Sequence, residues 1–561
     1  MPVFVADFET CNNEINIMQG YTRVWLWDLC DIDSLAHYSG ENFDQFFEQI
    51  KDFAPAVIYT HNLKFDGNFI LHYLLTHNFK HVKTRKIETN EFSTLITSGG
   101  VFYSIKICFE TKSKKKKRII EFRDSSKKIK GSVDRIAKSY KLPILKGEID
   151  YKKYRPIGYI ASAEEYAYIR NDTEIVARVL KGQYDNDMCK MTTSSDAMYL
   201  FKKSLPCPFK QIFPVLDIDT DDFIRASYRG GVVLVGKKYQ NITINENVNI
   251  YDINSMYPHK LAYKLMPYGK PAYYNGKYEP SKNQPLYIQR IAVCCKLKDG
   301  FLPTILLNNI RWGAMSYLEN TNGEMYEITL TSVDLELLFK HYEIYDIQYI
   351  DGYAFSASKN IFKKYVLPVY DKKCNTIGAE KENEKLKLNG LYGKFAFNPK
   401  NFQKYPYLEQ DKICYKNGDM EISEPIYTAV STFVTAYSRE QLFKYAQMHY
   451  DNFVYCDTDS LHLTCNLENE YIDDKKLGFF KFEKTYIKSK YLAQKSYYGI
   501  TTDNKNEIKL AGCPDNVKQQ ITFERFKFGE TFKGKLLPKV VNGGVVLCDT
   551  EFTIKERIKR S

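Results

Sequence analysis

Two sets of acidic residues carry the chemistry of this sequence. Asp7 and Glu9, in VFVADFET, are separated by one residue on an apolar strand, so their side chains leave the same face and converge on one cation. Carboxylate pairs suit a hard ion such as Mg2+. A D-x-E pair alone is common at strand ends, and two further segments give it weight. HNLKFDGNF opens directly after the strand AVIYT and offers Asn62 and Asp66 in a loop that runs into a helix. In YAYIRND, Tyr168 and Asp172 are four residues apart on a helix and share one face. Asp7, Glu9, Asp66 and Asp172 form the donor set that hydrolysis by two metal ions about 3.5–4 Å apart requires. Tyr168 would orient the attacking water, and Lys146, in ILKGEID, would neutralise developing phosphate charge. A plain surface lysine is the competing reading of Lys146.

The second set lies further along. NIYDINSMYP reads as a strand ending in Asp252, with Tyr257 and Pro258 expected to force a turn. FVYCDTDSLHL places Asp457 and Asp459 in a short polar turn between two apolar runs. Acids there lose hydration and repel one another unless cations bridge them, with an Asx-stabilised hairpin turn as the alternative. Between the two, EKENEKLKLNGLYGKF sets Lys385, Asn389 and Tyr392 at helical spacing, a stripe suited to a triphosphate held between metal ions and lysine. Gly390 and Gly393 would each weaken a helix by about 1 kcal/mol relative to Ala, which suggests close approach of backbone to a ligand. An amphipathic core helix is the plainer reading.

The elements that must position these residues follow from periodicity. VFVADFE, RVWLWDL and AVIYT read as strands, Phe43, Phe46, Phe47 and Ile50 mark one helix face, and Glu164 to Tyr184 reads as a closing helix. Val101 to Phe109 and Ile119 to Phe122 read as a strand pair, with the basic run KSKKKKR, residues 112 to 118, as its solvated tip or a phosphate-contacting finger. Residues 202 to 214 carry three prolines that oppose helix and central strand, so a domain boundary is expected near residue 190. Beyond it the pattern is mixed and strand-rich, with helix signals at Asp334 to His341 and Glu380 to Leu391.

Composition narrows the class. With 561 residues the chain is expected to form several domains, and Gly 29 with Pro 19 excludes collagen-like and disordered classes. Lys+Arg 80 against Asp+Glu 68 gives a net charge of +12, which favours polyanionic partners, nucleic acid first. Tyr 45 and Phe 35 against Trp 3 offer flat faces on which bases could stack. The 13 scattered cysteines contain no C-x-x-C, and neither a disulfide framework nor a zinc site is expected. No signal peptide and no transmembrane run are read, so a reducing cytosol is expected.

At this point the segments DFET, HNLKFDG, YAYIRND, YRGG, DINSMYP, KLKLNGLYG, YCDTDS and KSY resemble, in order and along essentially the whole chain, those of protein-primed family B DNA polymerases, the phi-29-like bacteriophage enzymes above all. The resemblance implies a fold of α/β and α+β domains. A ribonuclease-H-like 3′→5′ exonuclease domain (1–190) precedes a right-handed palm (191–262 and 427–530), fingers (361–396) and thumb (531–561). Insertions at 263–360 and 397–426 would be terminal-protein regions. It also implies roles. Asp7, Glu9, Asp66 and Asp172 would be exonuclease metal ligands aided by Tyr168 and Lys146, with Asn62, Phe65 and Ser125 on the frayed 3′ end. Asp252 and Asp459 would bind the polymerase metals with Asp457 beside them, and Tyr257 would reject a ribose 2′-hydroxyl. Lys373 and Lys385 would meet the triphosphate, and Asn389 and Tyr392 the nucleotide. Lys495 and Tyr497 would steady the primer terminus, while Tyr228, Arg229, Gly230 and Gly231 would hold template strand.

The implied cofactor is Mg2+, two per site, with Mn2+ as substitute. The implied partners are primer and template DNA, dNTPs and a priming terminal protein. The implied state is a monomer in the cytoplasm of an infected bacterial host, with intrinsic processivity and strand displacement. Met256 stands where Leu is commoner and Gly390 where Ser is usual, and the second removes a hydroxyl. Two rival readings are a free-standing 3′→5′ exonuclease with a non-catalytic C-terminal body and a non-enzymatic DNA-binding protein, neither of which needs both acid sets.

Overall fold

The computed structural model describes residues 1–84, 86–110, 118–307 and 315–556. Most of the basic run, residues 112–117, lies outside the described residues. The first part of the chain is an eight-stranded sheet in the order 37–40, 24–31, 3–10, 56–60, 118–124, 102–109, 91–96, 80–81. The strands Val3–Thr10, Ala56–Thr60 and Arg118–Asp124 at its centre run parallel. Parallel strands covered on both faces must be apolar throughout, and Ala56–Thr60 is buried at every residue.

Alternation along Val3–Thr10 then decides where the acids fall. Phe4, Ala6 and Phe8 pack with the helices Phe43–Phe53 and Leu63–Thr76. Val3 and Val5 pack on the opposite face with the helices Val133–Tyr140 and Ala163–Tyr184. Asp7 and Glu9 continue that second series. They therefore point toward the helix that carries Asp172.

The prolines at 202–214 do not exclude helix. One helix, Thr193–Ser204, runs into the segment, and a short one, Phe209–Ile212, starts directly after Pro208, where a missing N–H does no harm. Next comes an antiparallel sheet in the order 506–510, 496–501, 480–493, 248–253, 460–463, 453–457, 233–235. The helix Thr428–Met448 is buried along most of its length and packs against it. A four-stranded sheet spanning residues 266–358 is inserted between the strand Val248–Ile253 and the helices Lys363–Asn375 and Gly378–Phe395. Two hairpins, Lys400–Glu409 with Lys412–Ile422 and Thr531–Val541 with Gly544–Thr553, complete the chain.

The tyrosines serve this core extensively. Tyr59, Tyr251, Tyr342, Tyr427, Tyr455, Tyr486, Tyr491 and Tyr498 are among the largest fully buried side chains. All thirteen cysteines are free. Among the described residues no helix is long and apolar enough to cross a membrane.

Candidate active sites

Asp7, Glu9, Asp66 and Asp172 come together over the C-terminal half of the central strand Val3–Thr10. Burial and repulsion from Asp66, Glu9 and Asp172 push the Asp7 carboxyl well above the usual range, and burial raises Asp66 likewise. Burial and Asp172 push Glu9 up to about 7. Asp66 was expected in a loop, yet it lies inside the first turn of the helix Leu63–Thr76. The reversal needed after the strand is made by Asn62 alone, at φ 76°, a conformation that Asn tolerates.

Lys146 bonds Asp172 through its ammonium, which also lies 4.9 Å from the centre of the Tyr168 ring. The Tyr168 hydroxyl meets that of Tyr151 at 2.5 Å. Tyr151 sits in irregular chain with no periodicity to mark it, and only its closeness to Lys146 in sequence hinted at it. Phe65 is half-buried against Phe69, 5.6 Å between ring centres. Ser125 is wholly buried, and its hydroxyl meets His61 Nδ1 at 2.9 Å.

The second set is assembled by strand register. Asp252, at the end of Val248–Ile253, and Asp457, at the end of Phe453–Asp457, both pair with Ser460 from opposite sides of the strand Ser460–Leu463. The two-residue turn between the latter strands carries Asp459. Its amide donates to the Asp457 carbonyl at 2.7 Å, and its carbonyl accepts from the Ile253 amide at 2.9 Å. Burial and the neighbouring Asp459 push Asp252 up to about 7, and burial pushes Asp459 up to about 6. Lys495 donates to both Asp457 oxygens at 2.7 Å. Tyr497 packs among Tyr455, Tyr491 and His462 beneath it.

Tyr257 and Pro258 do not make the expected turn. The reversal falls at Ser255, φ 45°, and both residues lie in the first turn of the helix Met256–Tyr263, where proline fits. The Tyr257 ring lies 4.2 Å from that of Tyr392. Gly231 leaves them room: a Cβ there would lie 3.0 Å from the Tyr257 hydroxyl and 2.9 Å from Thr458 Oγ1, so those side chains would have to shift.

On Gly378–Phe395, Lys385 and Asn389 are exposed and Tyr392 half-buried on one face. Lys381 extends the stripe by one turn, and its spacing of four from Lys385 could have revealed it. Lys373 donates to Ser255 Oγ at 2.9 Å, and burial with Lys385 and Lys381 lowers its pKa against the pull of Asp252. The close approach expected at Gly390 is real, but its object is another helix: a Cβ would meet the Thr193 carbonyl at 2.9 Å. Nothing lies within 4 Å of a Cβ at Gly393.

The loop Tyr228–Gly231 is held from behind. Arg229 is buried and its guanidinium donates to the carbonyls of Leu306, Thr329 and Ser227. Arg439, buried in a two-pronged bond to Asp334, donates to the carbonyls of Arg229 and Gly230 at 2.6 and 2.9 Å. No local pattern joins Arg439 to Asp334, 105 residues apart.

Among the described residues no group of three or more His, Cys, Asp or Glu side chains is already set to grip a metal ion. The donors nevertheless fit one. The first cluster is all carboxylate, Lys146 supplies a cation at one Asp172 oxygen, and the buried Asp172 Oδ1 has no partner in the structure.

A sheet that presents paired acids beside a lysine-bearing helix, preceded by a separate α/β domain with its own acid cluster, defines a nucleic-acid polymerase joined to a nuclease-like domain. The family model for DNA polymerase type B, organellar and viral, matches residues 54–477. The DNA polymerases of Bacillus phage M2, Bacillus phage phi29 and Streptococcus phage Cp-1 are 39%, 38% and 34% identical, each over 99% of this chain and 98–99% of their own. The solved phi29 DNA polymerase in complex with primer-template DNA and incoming nucleotides matches with a TM-score of 0.92, at 36% identity, over 99% of this chain and 100% of that one. The chain belongs to the organellar and viral type B DNA polymerases and is a DNA polymerase of the phi29-like kind.

Proposed function

We propose that the chain extends a primer 3′ hydroxyl on a DNA template at the Asp252–Asp457–Asp459 centre and removes 3′-terminal nucleotides at the Asp7–Glu9–Asp66–Asp172 centre. One observation carries this reading: two acid clusters stand on separate sheets, burial and neighbouring acids hold Asp7 and Glu9 in one, and burial holds Asp252 and Asp459 in the other, above the usual carboxylate range, and each cluster has a lysine beside it. Asp252 and Asp459 in one site, and Asp7, Glu9, Asp66 and Asp172 in the other, would hold pairs of Mg2+, with Mn2+ as substitute. Such ions, when bound, activate the attacking oxygen and steady the leaving one.

The protein's own residues do the rest. Lys373 and Lys385, joined by Lys381, neutralise the triphosphate, and Asn389 and Tyr392 line the nucleotide. Tyr257, fixed by Tyr392 and the Gly231 loop, fills the space a ribose 2′-hydroxyl needs. Lys495, now on Asp457, and Tyr497 meet the primer terminus. Tyr228, Gly230 and Gly231 hold template, with Arg229 fastening their loop to the inserted sheet. At the nuclease site Asn62 and Phe65 receive the frayed 3′ end, Ser125 acts through His61, Tyr168 orients water and Lys146 offsets phosphate charge.

The parts correspond to an exonuclease domain (1–190), palm (191–262 and 427–530), terminal-protein-region insertions (263–360 and 397–426), fingers (361–396) and thumb (531–561). The likeness to phi29-type enzymes supports priming by a terminal protein, strand displacement, and work as a monomer in the cytoplasm of an infected bacterium.

Separating the activities tests the assignment. Asp252→Ala or Asp459→Ala should abolish dNTP incorporation and spare degradation of single-stranded DNA, while Asp7→Ala with Glu9→Ala should do the reverse. Loss of both activities in either variant sinks the two-site reading.

A further inference from the structure

Tyr370 stands three residues before Lys373 on the helix Lys363–Asn375, and the Lys373 ammonium lies 5.2 Å from the centre of its ring. The Tyr370 hydroxyl donates a 2.8 Å hydrogen bond to the main-chain carbonyl of Lys475. The segment offering that carbonyl is built onto the turn that follows Asp252. Asn254 Nδ2 donates to the Asp473 carbonyl at 2.7 Å, the Asn254 amide donates to Phe479 at 2.9 Å, and the Gly478 amide donates to Asn254 at 2.8 Å. The Asp473 carboxylate accepts from the amides of Lys475 and Lys476 at 2.9 and 2.8 Å, which fixes the direction of the intervening backbone. Ser255, the next residue of the turn, accepts from Lys373. The helix is thus tied to both sides of one turn by two side chains a helical turn apart.

Lys373 needs such support. It is half-buried, it faces repulsion from Lys385 and Lys381, and a free lysine side chain has rotamer entropy to lose on binding. An aromatic face beside the ammonium and a fixed helix both lower that loss before a ligand arrives.

We propose that Tyr370 is a positioning residue for the incoming nucleotide: its hydroxyl latches the helix to Lys475 and its ring supports Lys373, so that the ammonium is held ready for the triphosphate. This rests on the reading of Lys373 as a triphosphate ligand. Tyr370 itself does not touch the reacting atoms.

The test is steady-state extension of a primed template at varied dNTP. Tyr370→Phe keeps the ring and removes the latch. It should raise the dNTP KM about fivefold, the scale of one neutral hydrogen bond, with kcat within twofold. Thermal midpoint and 3′→5′ degradation should stay unchanged, which a merely structural role would not predict. In a Lys373→Ala background the same change should add less than twofold. An unchanged KM in Tyr370→Phe, a fall in kcat together with thermal midpoint, or a full fivefold effect persisting without Lys373 would each overturn the latch. If Lys373→Ala alone leaves the dNTP KM unchanged, the assignment of Lys373 to the triphosphate fails, and with it the route through which Tyr370 acts.

Discussion

Glu9, Asp252 and Asp459 differ from surface acids in what they do when no cation is present. Burial and neighbouring acids hold Glu9 and Asp252 up to about 7 and Asp459 up to about 6. Between the ordinary carboxylate range near 4 and about 7, the folded protein keeps protons that the unfolded chain has already released. Stability of the metal-free protein therefore falls as pH rises through that window. Divalent cations bind the ionised form and favour the folded state, so their effect grows in the opposite direction. Saturating Mg2+ is expected to raise the thermal midpoint by several degrees at pH 8 and by about 1 °C or less at pH 5, read by calorimetry across that range. Equal shifts at both ends would show that these acids do not control cation binding. The acids themselves were legible in the sequence because a carboxylate in an apolar strand demands compensation. The environments of Ser125 and Arg229 were not legible, because burial against His61 or against the carbonyls of Leu306 and Thr329 depends on parts of the chain far away.

Among the elements, the helix Gly378–Phe395 shows how far periodicity reaches. Its exposed stripe of Lys385 and Asn389, continued by Tyr392, followed from spacing alone. Gly390 lies off that stripe among buried residues, and there the glycine allows the helix Thr193–Ser204 to approach. A pattern of residue types says that backbone must come close to something, and tertiary structure decides to what. Helix starts escape periodicity for a related reason. Asp66 and Tyr257–Pro258 were expected in loops, but a single left-handed residue, Asn62 or Ser255, makes each reversal and lets the helix begin at once. The prediction at this scale is Gly390→Ser. Its Cβ would lie 2.9 Å from the Thr193 carbonyl and 3.2 Å from the Ala197 Cβ, so the helices must separate. Overpacking of this kind destabilises by about 1–3 kcal/mol, more than the gain of a fraction of a kcal/mol from replacing a helical glycine. A lower urea midpoint is expected, and an unchanged or higher one would mean that the helices part without strain.

Over the whole molecule, three separate pieces lean on one another in a ring. The hairpin spanning residues 400–422 meets the first domain through the Ser98 amide on the Phe402 carbonyl at 2.8 Å and the Tyr415 hydroxyl on Asn68, in the helix Leu63–Thr76, at 2.8 Å. Its second strand touches the C-terminal hairpin. The C-terminal hairpin returns to the first domain at its tip, where Thr22 donates to the Asn542 carbonyl at 2.9 Å and Asn542 donates to Gly20 at 3.0 Å. Asn12 pairs with both main-chain groups of Leu547 in the same clasp. A polymer passing between pieces linked in this way would be retained even when no single contact is strong. Gly543 is where the clasp is most exacting: its φ is +86° and a Cβ would lie 1.9 Å from the Thr22 carbonyl. Gly543→Ala must therefore shift the tip away from residues 20–22, through both steric overlap and backbone strain. Neither acid centre touches this position, so single-nucleotide addition and 3′→5′ degradation should persist. What should change is the number of nucleotides added per binding event, expected to fall several-fold when extension is started together with a trap for free enzyme. Product lengths equal to those of the unaltered protein, with the same salt dependence, would mean that the clasp plays no part in retaining DNA.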